Sequence, residues 1–283
     1  MRNNKSAVDG EKRAKLAIKM NTLAAKDILV AFSGGVDSAV VLKLAVDAAE
    51  ARGTNVYAVT FDLPMTTGED TAFAEASARA IGGIHQIVKI DMIDAADIRD
   101  NPPNRCYRCK RYLFSGLAEM AESYGVTTIL DGTNADDMAA HRPGKAALSE
   151  LGVVSPLALA GLTKAEVRAM AAEMGLDAHD KPSAPCLATR FPYGARLTRE
   201  RLDRVARAEA ALKAMGFSTL RVRVHDALVR LEVPTSDFDK VMAEKEAISS
   251  AMHGLGYAKV TLDLDGFRSG SFDEGPRHLK AKQ

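Results

Sequence analysis

The sequence has no run of about 18 apolar residues, the length a membrane span needs, and Met1 to Lys19 hold no apolar stretch of signal-peptide length. A soluble cytoplasmic protein without a membrane partner is the expectation. An excess of either charge is also missing, since 38 Lys plus Arg stand against 37 Asp plus Glu. No net field then draws the whole molecule to nucleic acid or an acidic membrane, and any anion site must be local. Three cysteines are too few for a disulfide framework. Neither Gly-x-x-x-x-Gly-Lys-Ser/Thr nor Gly-x-Gly-x-x-Gly occurs, which excludes a Ras-like site and a dinucleotide fingerprint. Internal repeats and low-complexity tracts are absent too. What remains is 283 residues at 47% hydrophobic content, enough for one large core or two smaller ones, with the length favouring two domains.

After a basic helical leader from about Glu11 to Ala25, the run Ile28 to Phe32 is short, β-rich and closed by Gly34-Gly35, as in a buried parallel strand. Helix (Ser38 to Ala51), strand (Asn55 to Phe61), helix (Asp70 to Ile81), strand (His85 to Ile90), helix (Tyr112 to Ser123) and strand (Thr127 to Asp131) follow. This alternation predicts an α/β domain with a parallel sheet covered on both faces. Thr163-Lys-Ala-Glu166 has the form of a capping box that opens a further helix ending at Gly175. Lys181 to Leu197 is punctuated by Pro and Gly and predicts a long functional loop. Beyond a boundary near Leu197, helix (Thr198 to Met215), strand (Thr219 to His225), strand (Ala227 to Val233), helix (Ser236 to Met252) and strand (Tyr257 to Leu264) predict a smaller α+β domain over 198–273. Residues 274–283 are expected to be a disordered tail.

Ser33-Gly34-Gly35-Val36-Asp37-Ser38 joins the first predicted strand to the first predicted core helix. Two glycines there let backbone amides approach a phosphate, and a helix N-terminus adds positive potential. A tight strand-to-helix turn with Ser or Asp capping is the plainer alternative. The hexapeptide resembles the PP-loop of the N-type ATP pyrophosphatases, which split ATP between the α- and β-phosphates and transfer AMP to a substrate oxygen. That resemblance implies that Ser33, Gly34, Gly35, Asp37 and Ser38 hold ATP, that Asp37 helps to hold Mg²⁺, and that Thr60 and Phe61 lie by the adenine. Asp131-Gly-Thr-Asn-Ala-Asp-Asp137 also matches, at the carboxyl end of a strand where open α/β sheets bind ligands. Asp136 and Asp137 read equally well as a polar turn capping the next helix.

Cys106 and Cys109 fall in a segment that reads as a loop, opened by Pro102-Pro103 and flanked by Arg105, Arg108, Lys110 and Arg111. Cys186 stands alone in Pro185-Cys-Leu-Ala-Thr-Arg190. Basic surroundings favour thiolates, and polar loops are unusual places for inert cysteines. Zinc would want a fourth ligand, and His85, His141 and His179 are scattered, whereas three thiolates suit a [4Fe–4S] cluster with one open iron. Arg221 and Arg223 alternate on one face of a predicted strand, a clamp for a phosphate monoester, with Glu209 one helix earlier as a partner. Pairing of that face with Glu232 is the alternative.

Together with Thr261-Leu-Asp-Leu-Asp-Gly-Phe-Arg-Ser-Gly-Ser271, these motifs occur in the order found in the LarE family, and the sequence from about residue 11 to 273 resembles it. LarE proteins are ATP-dependent sulfur transferases of nickel-pincer cofactor biosynthesis, the cofactor of lactate racemase. The resemblance implies a PP-loop domain of the adenine nucleotide alpha hydrolase type, and adenylylation of the carboxylates of pyridinium-3,5-biscarboxylic acid mononucleotide. It implies thiocarboxylate formation with Cys186 as sulfur donor, a grip of Arg221 and Arg223 on the substrate phosphate, and assembly as a homo-oligomer. Cys106, Cys109 and Cys186 together resemble the iron–sulfur variety, which implies a [4Fe–4S] cluster carrying the sulfide. An ATP-dependent tRNA thiolase is the nearest alternative, but it calls for an RNA-binding module or a strongly basic face. An amide-forming synthetase has no use for three cysteines, and a non-catalytic ATP-binding regulator would release no pyrophosphate.

Overall fold

The computed structural model describes residues 8–139, 144–182 and 185–268. The chain divides into two compact units, Met1–Ile98 with Pro103–Ala184, and Arg99–Pro102 with Pro185–Gln283. The sequence reading set this division near Leu197. The intervening turn belongs instead with the second unit, because Arg190 within it pairs with Glu209 and Arg223 donates to the Thr189 carbonyl.

The first unit is built on four parallel strands, β1 (Ile28–Ala31), β2 (Val56–Asp62), β3 (Ile84–Lys89) and β4 (Thr128–Leu130), in the order β3-β2-β1-β4. Helices α1 (Gly10–Leu23), α2 (Val36–Glu50), α3 (Gly68–Ile81), α4 (Arg105–Ser123), α5 (Ala135–Ala139), α6 (Gly144–Glu150), α7 (Pro156–Leu159) and α8 (Lys164–Glu173) complete it. The apolar run of β1 is explained by burial on both faces. Ile28 and Val30 enter a core shared with α1, α2 and α8, while Leu29 enters a second core with Phe114, Leu117 and Ala121 of α4. Those three residues of α4 recur at helical spacing. Strand order reverses between β1 and β4, so the loops leaving their carboxyl ends flank the crevice where open α/β sheets take ligands.

Helix α4 corrects one expectation. It begins at Arg105, so Cys106 lies in its first turn and Cys109 in its second, not in a loop. Pro102-Pro103 stop nothing, because they precede the helix, and Cys, Tyr, Arg and Lys are all tolerated helix residues. The predicted capping box is present, with Glu166 accepting from the Thr163 amide and hydroxyl at 2.8 Å each.

In the second unit, α9 (Arg199–Ala214) packs with a three-stranded sheet of β5 (Arg221–His225), β6 (Leu228–Glu232) and β7 (Lys259–Leu262), ordered β5-β6-β7. β5 and β6 are antiparallel, joined at Asp226, whose φ of 55° is a left-handed value that Asp tolerates. β6 and β7 are parallel. The single helix predicted from Ser236 is broken at Glu244 into α10 (Phe238–Ala243) and α11 (Lys245–Gly254). No Gly or Pro marks that break, so the sequence pattern does not show it. The expected tail, and the last residues of the motif ending at Ser271, lie outside the described residues. Among the described residues no helix is long and apolar enough to cross a membrane.

Candidate active site

The turn after β1 is held by its own serines. Ser38 Oγ donates to the Gly35 carbonyl at 3.0 Å, the Ser33 amide donates to Ser38 Oγ at 3.3 Å, and the two hydroxyls lie 3.2 Å apart. Gly34 has φ 69°, and a Cβ on it would come within 2.8 Å of Ala74 Cα, so only glycine fits between this turn and α3. Gly35 caps α2 with no side chain over its first amides. Opposite it, a Cβ on Gly132 would lie 2.8 Å from the Ser38 amide nitrogen, which shows how closely the loop after β4 approaches.

These loops enclose a cavity of about 350 Å³ lined by Ser33, Asp37 and Ser38, by Thr60 and Phe61 at the end of β2, and by Asp131, Gly132, Thr133 and Asp137 after β4. The predicted loop residues therefore meet the predicted adenine-side residues, while Gly34 and Gly35 shape the backbone without lining the space. Phe32, Leu113 and Phe114 add an apolar wall suited to a flat heterocycle. Thr60 donates its hydroxyl to the Phe32 carbonyl at 2.7 Å and stands 2.8 Å from His85 Nε2. With that proton committed, Nε2–H of the imidazole is the donor to Thr60, and burial lowers the His85 pKa, favouring the neutral ring.

Asp37 accepts from Asn134 Nδ2 at 3.0 Å through one oxygen and forms an ion pair with Lys164 Nζ through the other. Asp131 is buried, and its carboxylate accepts from Thr133 and Ser155 hydroxyls. Both aspartates cap: Asp137 accepts from the Asn134 amide at 3.4 Å at the start of α5, Asp136 accepts from the Lys164 amide at 2.8 Å at the start of α8, and Asp137 also lines the cavity. A Mg²⁺ ion suits this setting, since it needs only one or two carboxylates when phosphates and water supply the remaining oxygens. Asp37 in the first turn of α2 and Asp137 in α5, both lining the cavity, would provide them.

Cys106 is exposed and Cys109 half-buried, one helical turn apart on α4. Arg105 Nη2 lies 4.0 Å from Cys106 Sγ, and Lys110, the residue after Cys109, reaches the cavity wall. In the second unit Cys186 is exposed and precedes a 3₁₀ turn, Leu187–Arg190, with its carbonyl accepting from the Thr189 amide at 2.9 Å. None of the three is in a disulfide. Spacing and accessibility of the α4 pair suit two thiolate ligands of an iron–sulfur cluster. No group of three or more His, Cys, Asp or Glu side chains is gathered for a metal among the described residues.

The second unit carries the predicted arginines. Arg223 is buried, donating from Nε to Glu232 at 2.9 Å and from Nη1 to the Thr189 carbonyl at 2.7 Å. It thereby ties the cysteine turn to β5. Glu209 acts on Arg221 as a nearby charge, but its hydrogen bonds go elsewhere. Both its oxygens accept from Arg190 at 2.8 Å, and one also accepts from the Val222 amide at 3.0 Å. A buried carboxylate needs such full compensation, and Arg190 supplies it from the turn that packs on α9. Arg221 is half-buried, donates to the Leu220 carbonyl at 2.7 Å and lies 5.0 Å over the Phe267 ring. Burial, then the neighbouring Arg190, lowers its pKa to about 10. Arg230 also pairs with Glu232 and with Asp263, so four guanidinium groups stand against three carboxylates, an excess that suits an anion.

From sequence, Lys164, Asn134 and Arg190 have no assigned role, and Lys110 figures only as a basic neighbour of the cysteines. Asp37 lies 97 residues from Asn134 and 127 from Lys164, so no local pattern links them. A buried arginine in a Pro-rich stretch leaves no periodic signal either.

A family model described as asparagine synthase matches residues 12–254. A pyridinium-3,5-bisthiocarboxylic acid mononucleotide synthase of Lactiplantibacillus plantarum is 37% identical over 266 residues, 92% of this chain and 96% of that one. An uncharacterized protein of Synechocystis is 38% identical over 247 residues, 87% of this chain and 91% of its own. A tRNA-specific 2-thiouridylase of Clavibacter sepedonicus is 32% identical over 194 residues, covering 56% of this chain and 49% of the thiouridylase. With the loop of Ser33 to Ser38 set between β1 and α2 at the reversal of a parallel sheet, and with similarity running over nearly the full length of the Lactiplantibacillus enzyme, the chain belongs to the PP-loop superfamily and, within it, to the LarE family of sulfur transferases.

Proposed function

We propose that this chain adenylylates the carboxylates of pyridinium-3,5-biscarboxylic acid mononucleotide with ATP and converts them to thiocarboxylates. The observation that carries this reading is the cavity shared by Ser33, Asp37 and Ser38, the Thr60-Phe61 wall and Asp137, in a chain so similar to a synthase of that name. ATP would lie with its base toward Phe61 and its phosphates at the start of α2. A substrate carboxylate oxygen attacks the α-phosphorus, the bond to the β-phosphate oxygen breaks, and pyrophosphate leaves. Bound Mg²⁺ supplies neutralisation of charge on the phosphates. Ser33, Ser38 and the amides opening α2 supply the donors that stabilise the departing anion. A sulfur nucleophile then attacks the acyl carbon and AMP departs with the carboxylate oxygen.

Arg221 and Arg223 are proposed to receive the substrate phosphate, supported by the excess of cationic groups around them. For the sulfur, Cys106, Cys109 and Cys186 are proposed as the ligands of a [4Fe–4S] cluster, supported by the accessible pair on α4. When bound, the cluster would supply a sulfide at its open iron. Exposure of Cys186 supports a second reading, in which its Sγ attacks the acyl carbon, the Cβ–Sγ bond breaks with loss of the α-proton, and dehydroalanine remains. Anaerobic purification with iron and sulfide analysis separates the two, because an iron-free protein that gains dehydroalanine at position 186 excludes the cluster. The same proposal has the protein working as a cytoplasmic homo-oligomer, to be checked by light scattering. Pyrophosphate release measured with and without the pyridinium mononucleotide tests the activity, and release stimulated by tRNA instead would favour the thiolase reading.

A further inference from the structure

The start of α8 is fixed by four contacts that do not involve the Lys164 side chain. Glu166 accepts from the Thr163 amide and hydroxyl and from Lys12 Nζ, and Asp136 accepts from the Lys164 amide at 2.8 Å. From this anchored position the Lys164 side chain, 34% exposed, crosses to the cavity-lining carboxylate of Asp37, itself 18% exposed. Asn134 holds the other oxygen. An ammonium therefore sits where the proposed function places a divalent cation.

We propose that Lys164 is a positioning residue acting as the resident counter-ion of Asp37. In the nucleotide-free protein it keeps a divalent cation off that carboxylate, so that the metal enters only together with ATP, whose phosphates then receive the displaced ammonium. This rests on the reading of the cavity as an ATP site. The energetics favour such an exchange. Mg²⁺ dehydrates reluctantly and binds weakly to one or two carboxylates alone, and a neighbouring cation weakens it further. A partly exposed ion pair is weak, so a polyphosphate that offers several new oxygens displaces it readily. The order of binding would protect the site from idle metal.

The test is Mn²⁺ binding to the full chain without nucleotide, followed by electron paramagnetic resonance of the unbound ion. Lys164→Met should bind Mn²⁺ about tenfold more tightly than the wild type, about 1.4 kcal/mol. Lys164→Arg should behave as wild type, and adding Asp37→Asn to Lys164→Met should abolish the gain. Affinity for MgATP, read by calorimetry, should fall about tenfold in Lys164→Met. Circular dichroism reports folding, and Lys164→Gln replaces the Met variant if that one is unfolded. Equal Mn²⁺ affinity in folded wild type and variant overturns the proposal. A wild type that binds no MgATP overturns the ATP reading instead, and the Mn²⁺ comparison still decides the counter-ion role.

Discussion

Replacing Gly132 by Ala tests whether the close approach of the β4 loop to the nucleotide loop sets the geometry of the site. The added Cβ would stand 2.8 Å from the Ser38 nitrogen and 3.1 Å from both the Asp37 carbonyl carbon and its Cβ. All three belong to the backbone or its first side-chain carbon, so no rotamer change relieves the contact. One of the loops must yield by roughly half an ångström to restore ordinary van der Waals separation. Overpacking of this kind costs about 1–3 kcal/mol, read as a lower urea midpoint. Misplacement of Ser38 and Asp37 should lower the rate of pyrophosphate release by about 10- to 100-fold. Gly116→Ala is the comparison. It lies in α4 with no atom within 4 Å of the new Cβ, and should gain about 0.5–1 kcal/mol with activity unchanged. A Gly132→Ala protein with wild-type stability and wild-type rate would show that this contact does not set the geometry of the site.

Three further outcomes are expected. Glu209→Gln leaves the Arg190 guanidinium buried without its counter-charge and should cost about 3–5 kcal/mol in a denaturant titration. Arg221→Met should raise KM for the phosphorylated substrate by about tenfold or more while leaving KM for ATP alone, since Arg221 does not line the nucleotide cavity. Burial acts to raise the pKa of Glu166, but hydrogen bonds from Lys12 and Thr163 outweigh it and bring the carboxyl from 4.5 to about 2. A folded pKa below the unfolded value means stability that is complete above pH 4.5 and is lost as pH falls towards about 2. Glu166→Gln should flatten the urea midpoint over that interval.

Much of the first unit was legible because its strands are buried on both faces and read as apolar runs, and because Gly34 and Gly35 close β1 where the loop must turn. The capping box at Thr163 was equally plain, being local. Signals failed where the deciding contact is distant or where punctuation misleads. Pro102-Pro103 suggested a loop over the paired cysteines, whereas the prolines merely precede α4. Glu209 reads from sequence as serving Arg221 and Arg223, and its pairing with Arg190 in the cysteine turn leaves no sequence signal. Lys164 sits inside a visible capping box, yet its partner Asp37 is reached only through the folding of α8 against the β1 crevice.

ATP is proposed to be opened at its α-phosphate to activate a pyridinium carboxylate for sulfur. Pyrophosphate release by the anaerobically prepared protein, with the pyridinium mononucleotide present and absent, measures it directly when product masses are recorded alongside. Release should depend on the mononucleotide and be accompanied by a product in which carboxylate oxygen is replaced by sulfur. Release that ignores the mononucleotide and rises with tRNA would contradict it.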